Sequence, residues 1–200
     1  MSIEQRSLNT WALLAEWILA NLIGWIVGLT VGIALTFAAT LLPGLNPDRF
    51  SVYALLFSAG LATGLVQWRV MKQLLPNSAR WVAATIAGYV LSLVFFTGIS
   101  LAQPVVAQPW GDLLLMGLFG AGIGIPQWWV LRLHYHRAGI WVPATAAGFL
   151  CFTWLTSHPA HSFGELVAVG AVIGTLAAVV PGAALAWLTR RQVPGATGRI

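Results

Sequence analysis

Six apolar segments, at roughly 11–40, 52–73, 81–101, 110–133, 140–157 and 163–188, take up nearly the whole of this 200-residue chain. About 20 apolar residues in a helix cross the hydrocarbon of a bilayer. Only helices and closed barrels can do so, because every backbone N–H and C=O must be bonded within the protein. The breaks are short and rich in turn formers: Pro43-Gly44-Leu45-Asn46-Pro47-Asp48-Arg49, Lys72 to Arg80, Ala102 to Pro109, Arg132 to Gly139, and Ser157-His158-Pro159-Ala160-His161. The expected fold is an all-α transmembrane six-helix bundle in a single domain, residues 1–200. Composition agrees: 8% of residues are charged and 58% hydrophobic, whereas soluble domains carry about 25% charged residues. The first apolar run, Trp11 to Leu42, exceeds the roughly 7–15 residues of a signal-peptide core and reads as an uncleaved span.

Positive charge resists translocation and so orients such a chain. With six spans, Arg6, Arg69, Lys72, Arg80, Arg132, Arg137, Arg190, Arg191 and Arg199 all fall on one side, and only Arg49 falls on the other. A five- or seven-span count scrambles this partition. Both termini are therefore expected in the cytoplasm. Trp17, Trp68, Trp81, Trp128, Trp129, Trp141 and Trp187 gather near the same boundary and read as an aromatic belt at the headgroups.

The chain also repeats itself. Trp17-x-x-Ala20-Asn21-x-x-Gly24-Trp25 recurs as Trp81-x-x-Ala84-Thr85-x-x-Gly88-Tyr89 and Trp141-x-x-Ala144-Thr145-x-x-Gly148-Phe149. The intervening segments carry Gly60-x-x-x-Gly64-x-x-Gln67-Trp68 and Gly120-x-x-x-Gly124-x-x-Gln127-Trp128; the last has Gly170-x-x-x-Gly174, with Ala177-Ala178 read at the Gln-Trp position. The unit is a helical hairpin used three times, at about 11–73, 81–133 and 140–188, each starting on the cytoplasmic side. The copies are thus parallel, unlike the inverted repeats of many transporters. Gly24, Gly28, Gly32, Gly60, Gly64, Gly120, Gly124, Gly170 and Gly174 read as helix-packing positions, since small residues let backbones approach where lipid offers no hydrophobic drive. A second reading has such grooves hold a lipid tail or a pigment.

Asn21, Gln67, Thr85, Gln127 and Thr145 lie at one depth, about 7–8 Å inside the cytoplasmic boundary at about 1.5 Å rise per residue. An unpaired amide in hydrocarbon costs several kcal/mol, so these five should bond to one another or to nearby carbonyls. They form an interhelix glue layer or, alternatively, line a ligand niche. Glu16, at the same flank, is expected to be an ordinary interfacial acid, with Arg69 or Arg132 as the alternative partners. Pro126 and Pro181 should each remove a backbone hydrogen bond and kink the helix.

No carboxylate lies near mid-membrane, which argues against ion-coupled transport. His134-x-His136 and His158-x-x-His161 supply too few ligands for zinc, so no metal site is expected. No nucleophile–base–acid arrangement, phosphate loop or paired carboxylate is present, and no enzymatic activity or cofactor is expected. The net charge of +5 does not imply nucleic acid, because the basic residues form no stripe. Cys151, as the lone cysteine, forms no internal disulfide.

Gly-Leu-Val-Gln67-Trp68-Arg-Val-Met-Lys72 and Gly-Ile-Pro-Gln127-Trp128-Trp-Val-Leu-Arg132, each followed by Trp-Val-x-x-Thr-x-x-Gly, resemble a group of uncharacterised multi-pass proteins common in cyanobacteria and Chloroflexi-type bacteria. The resemblance covers most of the chain and implies a bacterial inner or thylakoid-type membrane, without an activity or site residues. Three functions follow as expectations: an accessory or scaffold subunit that meets other membrane-protein subunits; a chlorophyll-type pigment- or lipid-binding subunit of a photosynthetic assembly; or a small transporter or channel.

Overall fold

A computed structural model describes residues 9–42, 47–102, 110–156 and 163–190. All regular structure among them is helical: α1 (Thr10–Thr40), α2 (Pro47–Met71), α3 (Ala79–Ala102), α4 (Trp110–Leu131), α5 (Trp141–Thr156) and α6 (Phe163–Arg190), with a 3₁₀ turn, Ala138–Ile140, leading into α5. Four are long and apolar enough to cross a membrane: α1, and the stretches Tyr53–Met71, Ala79–Gly98 and Leu113–Leu131 of α2, α3 and α4. The chain is therefore an all-α transmembrane bundle. Helix α5 has only 16 residues. Helices α4 and α6 run through Pro126 and Pro181.

Each helix packs against its neighbours in sequence, and α6 returns to α1, so the six close into a ring. The glycines explain the close approach. Gly24, Gly88 and Gly148 lie against the backbones of Thr63, Ile123 and Ala177, and a Cβ there would sit 2.5–2.7 Å from a backbone atom of that residue. Real contacts do not reach such distances, so any side chain would push the helices apart. Gly60 and Gly174 receive the rings of Tyr89 and Trp25 of the following odd helix, α1 following α6, and Gly120 meets Phe149 Cβ together with the backbones of Thr145 and Ala146. Ser58 and Ser92 add bonds between neighbours: Ser58 Oγ donates to the Gly28 carbonyl (2.7 Å) and Ser92 Oγ to the Phe119 carbonyl (2.6 Å).

These contacts fix the register of the third hairpin, and it differs from the sequence reading. Gly174, not Gly170, takes the station of Gly60 and Gly120, because it meets Trp25 as they meet Tyr89 and Phe149. Ala177 stands level with Thr63 and Ile123, and Leu185 is fully buried like Met71 and Leu131. The station of Gln67 and Gln127 lies seven residues past that glycine, so it belongs to Pro181, and Gly182 takes the place of Trp68 and Trp128. Gly170-x-x-x-Gly174 misled the alignment because buried Ala178 (1% exposed) is small enough to serve as the second packing position. The surroundings of Gly170 itself lie outside the described residues.

The turns after α2 and α4 share one conformation. Leu75 N donates to the Met71 carbonyl and Tyr135 N to the Leu131 carbonyl, at 2.8 and 2.9 Å. Leu75 and Tyr135 tuck beneath the bundle; burial pushes the Tyr135 phenol up to about 12. It plugs the turn as a neutral group. At this same end Arg190 Nε donates to Thr10 Oγ1 (2.8 Å), and Gln73 Nε2 donates to Glu16 Oε2 (2.9 Å). Gln73 is thus the partner Glu16 takes, rather than Arg69 or Arg132.

Candidate functional site: the buried polar ring

The odd helices each send a tryptophan to the centre of the ring. Trp17, Trp81 and Trp141 are at most 1% exposed. Their ring centroids lie 6.0, 5.6 and 5.6 Å apart at 75°, 81° and 74° between planes, so each meets the next edge to face. Such geometry places the positive ring edge on a negative face. The expected belt is thereby corrected: these three indoles are the core, not headgroup anchors. Trp129 is 56% exposed, and Trp68, Trp128 and Trp187 are half-buried. Lys72 lies 3.5 Å above the Trp68 ring and Arg132 3.3 Å above that of Trp129, both within cation–π range.

Directly inside the tryptophans runs a chain of hydrogen bonds. One turn above each tryptophan, a short polar side chain donates to its carbonyl: Asn21 Nδ2 to Trp17 (2.8 Å), Thr85 Oγ1 to Trp81 and Thr145 Oγ1 to Trp141 (both 2.9 Å). The glutamines of the even helices link these units. Gln67 Nε2 donates to Asn21 Oδ1 (2.9 Å), and Gln67 Oε1 accepts from Trp81 Nε1 (2.9 Å). Gln127 Nε2 donates to Thr85 Oγ1 (3.0 Å), and Gln127 Oε1 accepts from Trp141 Nε1 (3.0 Å). Each amide thus uses both ends to join one odd helix to the next. All four linking side chains, and Thr145, are buried. The five polar positions singled out from the sequence share this layer.

The indole donors were missed by the sequence reading. Their signal was present in the spacing, since Gln67 and Gln127 each precede a tryptophan by 14 positions. Placing those tryptophans in a headgroup belt concealed it.

The ring does not close. Pro181 has no side-chain polar atom at the third station. Trp17 Nε1 is buried without a hydrogen-bond partner, and among the described residues no donor reaches Thr145 Oγ1. A cavity of about 30 Å³ lies at the centre of the ring, lined by Trp17, Thr63, Thr145, Ala177 and Pro181 and also by Gln67 and Gln127.

The layer is neutral throughout. Among the described residues no Asp, Glu, Lys, Arg or His is buried, and no group of three metal-ligating side chains exists. His158 and His161 lie outside the described residues. The described packing glycines face neighbouring helices rather than open grooves. Comparisons with family models, curated proteins and solved structures find no match for this chain.

Replacing Gln127 with leucine should strand Trp141 Nε1 and cost Thr85 its donor. A buried orphan costs about 1–3 kcal/mol, while interhelical bonds in membrane bundles average about 0.6 kcal/mol. The expected loss of about 1–3 kcal/mol is measurable by denaturant unfolding in micelles. A variant as stable as the parent would show that the ring does not hold the helices together.

Proposed function

We propose that this chain is a non-enzymatic scaffold or accessory subunit of a membrane complex, lying in a bacterial inner or thylakoid-type membrane with six spans and both termini in the cytoplasm. The observation that carries this reading is the polar layer itself. Both of its glutamine amides and two of its three indoles spend their hydrogen bonds within the layer, and the cavity left is about 30 Å³. Substrate sites run to about 300–1,000 Å³. Bonds that run from one odd helix to the next through Gln67 and Gln127 tie the helices into one rigid body, which is the property a scaffold needs. Its outward faces, including Val94, Leu114 and Trp129, remain available to lipid and to other subunits.

The test is purification in mild detergent followed by native mass spectrometry. The reading expects defined, stoichiometric association with other membrane subunits, and no solute flux when the chain alone is reconstituted in liposomes. Stoichiometric pigment, or sustained uptake by the isolated chain, overturns it.

The topology has its own test. With Cys151 replaced by serine, single cysteines at Asp48 and His136 should react with a membrane-impermeant thiol reagent from opposite sides of inverted vesicles. Labelling of both from one side rules out six spans.

A further inference from the structure

The interruption at Pro181 creates a site. At two stations a glutamine amide bridges an indole N–H to the polar oxygen of the preceding odd helix: Trp81 to Asn21 through Gln67, and Trp141 to Thr85 through Gln127. The third bridge would join Trp17 Nε1 to Thr145 Oγ1. Both side chains are in place, and both line the cavity together with Pro181. Trp17 is 1% exposed and its indole N–H has no partner in the protein. Thr63 Oγ1, on the same wall and beside the Tyr89 phenol, makes no hydrogen bond of good geometry either.

We propose that this cavity is a binding site for water, and that one or two water molecules complete the ring in place of the third glutamine. The size fits. The cavity measures about 30 Å³, and one water needs at least about 10–15 Å³ on this scale. The chemistry fits as well, since a buried water is held by two to four polar partners. Its oxygen accepts from Trp17 Nε1, and its hydrogens go to Thr145 Oγ1 and Thr63 Oγ1. No charged side chain is present to favour an ion, and the volume excludes an organic ligand. Two stations of the ring are therefore bridged by a glutamine amide, and the third, where α6 closes onto α1, is bridged by water.

The experiment is proton NMR of the intact, ¹⁵N-tryptophan-labelled chain in nanodiscs, with Trp17, Trp81 and Trp141 assigned by single phenylalanine variants. Trp17 Hε1 should give a direct cross-peak to water, and Hε1 of Trp81, which does not line the cavity and is bonded to Gln67 Oε1, should not. Pro181→Gln should abolish that cross-peak, because the new amide supplies both bonds. Pro181→Leu controls for loss of the proline alone. The glutamine variant should melt about 2–4 °C above the leucine variant, the shift produced by one hydrogen bond's worth of stability in a chain of this size. Absence of the Trp17 cross-peak in the parent protein overturns the proposal whatever the variants do. So does a leucine variant as stable as the glutamine one.

Discussion

Gly28→Leu is expected to prevent α1 and α2 from packing and to leave the protein unfolded or aggregated in any mild detergent. A Cβ at Gly28 would fall 2.7 Å from Ala59 N and 2.9 Å from the Ser58 carbonyl oxygen. Those atoms are backbone, so they cannot rotate aside as a side-chain tip would. Relief requires moving α2 bodily. That movement would also break the bond from Ser58 Oγ to the Gly28 carbonyl and loosen the neighbouring contacts at Gly24 and Gly32. Overpacking by a few methylenes ordinarily costs about 1–3 kcal/mol. Here the whole seam is displaced and the loss should exceed that range. The control is Gly98, where an added Cβ meets nothing within 4 Å. Gly98→Ala should be neutral or slightly stabilising, because alanine is the better helix former by about 1 kcal/mol. Thermal unfolding of the two variants side by side decides the matter. If Gly28→Leu melts within a few degrees of the parent, close backbone contact is not what joins these helices.

This seam also shows what the sequence can and cannot reveal. Gly24, Gly28 and Gly32 recur every four residues, and that spacing alone marks a face where two backbones meet. Helix boundaries were equally legible, because turn-forming residues separate the apolar runs. The polar layer was legible in depth, since Gln67 and Gln127 each precede a basic residue, Lys72 or Arg132, by five positions, and Asn21, Thr85 and Thr145 each follow a tryptophan by four. Which bonds they make was not. Depth along a helix says nothing about its rotation, and rotation decides whether Trp17, Trp81 and Trp141 face lipid or one another. The register of α6 was hidden for a similar reason. Alanine and glycine are near equivalents at a helix contact, so Gly170–Gly174 and Gly174–Ala178 offer the same local pattern. Only the contacts of Trp25 with Gly174 and of Gly148 with Ala177 choose between them.

Trp81→Ala is the second substitution expected to have a large effect, with a loss of about 3–5 kcal/mol, the range for removing a fully buried aromatic side chain. In lipid the comparison is not with water, because both states are surrounded by hydrocarbon. The loss comes from contacts: Trp81 is fully buried, and its ring meets both Trp17 and Trp141 edge to face. It also holds Gln67 Oε1, and alanine leaves that acceptor unpaired in the bilayer. Trp81→Phe separates the two contributions. Phenylalanine keeps most of the aromatic contact and loses the indole N–H, so it should cost about 1–3 kcal/mol, the penalty for leaving Gln67 Oε1 buried without its donor. A double-mutant cycle between Trp81→Phe and Gln67→Leu then isolates the bond itself, since residues sharing a hydrogen bond couple by about 0.5–3 kcal/mol and independent ones do not. Equal losses for phenylalanine and alanine would mean that the hydrogen bond, not the packed indoles, holds the centre. A coupling energy near zero would remove the amide–indole link from the account of how three hairpins form one body.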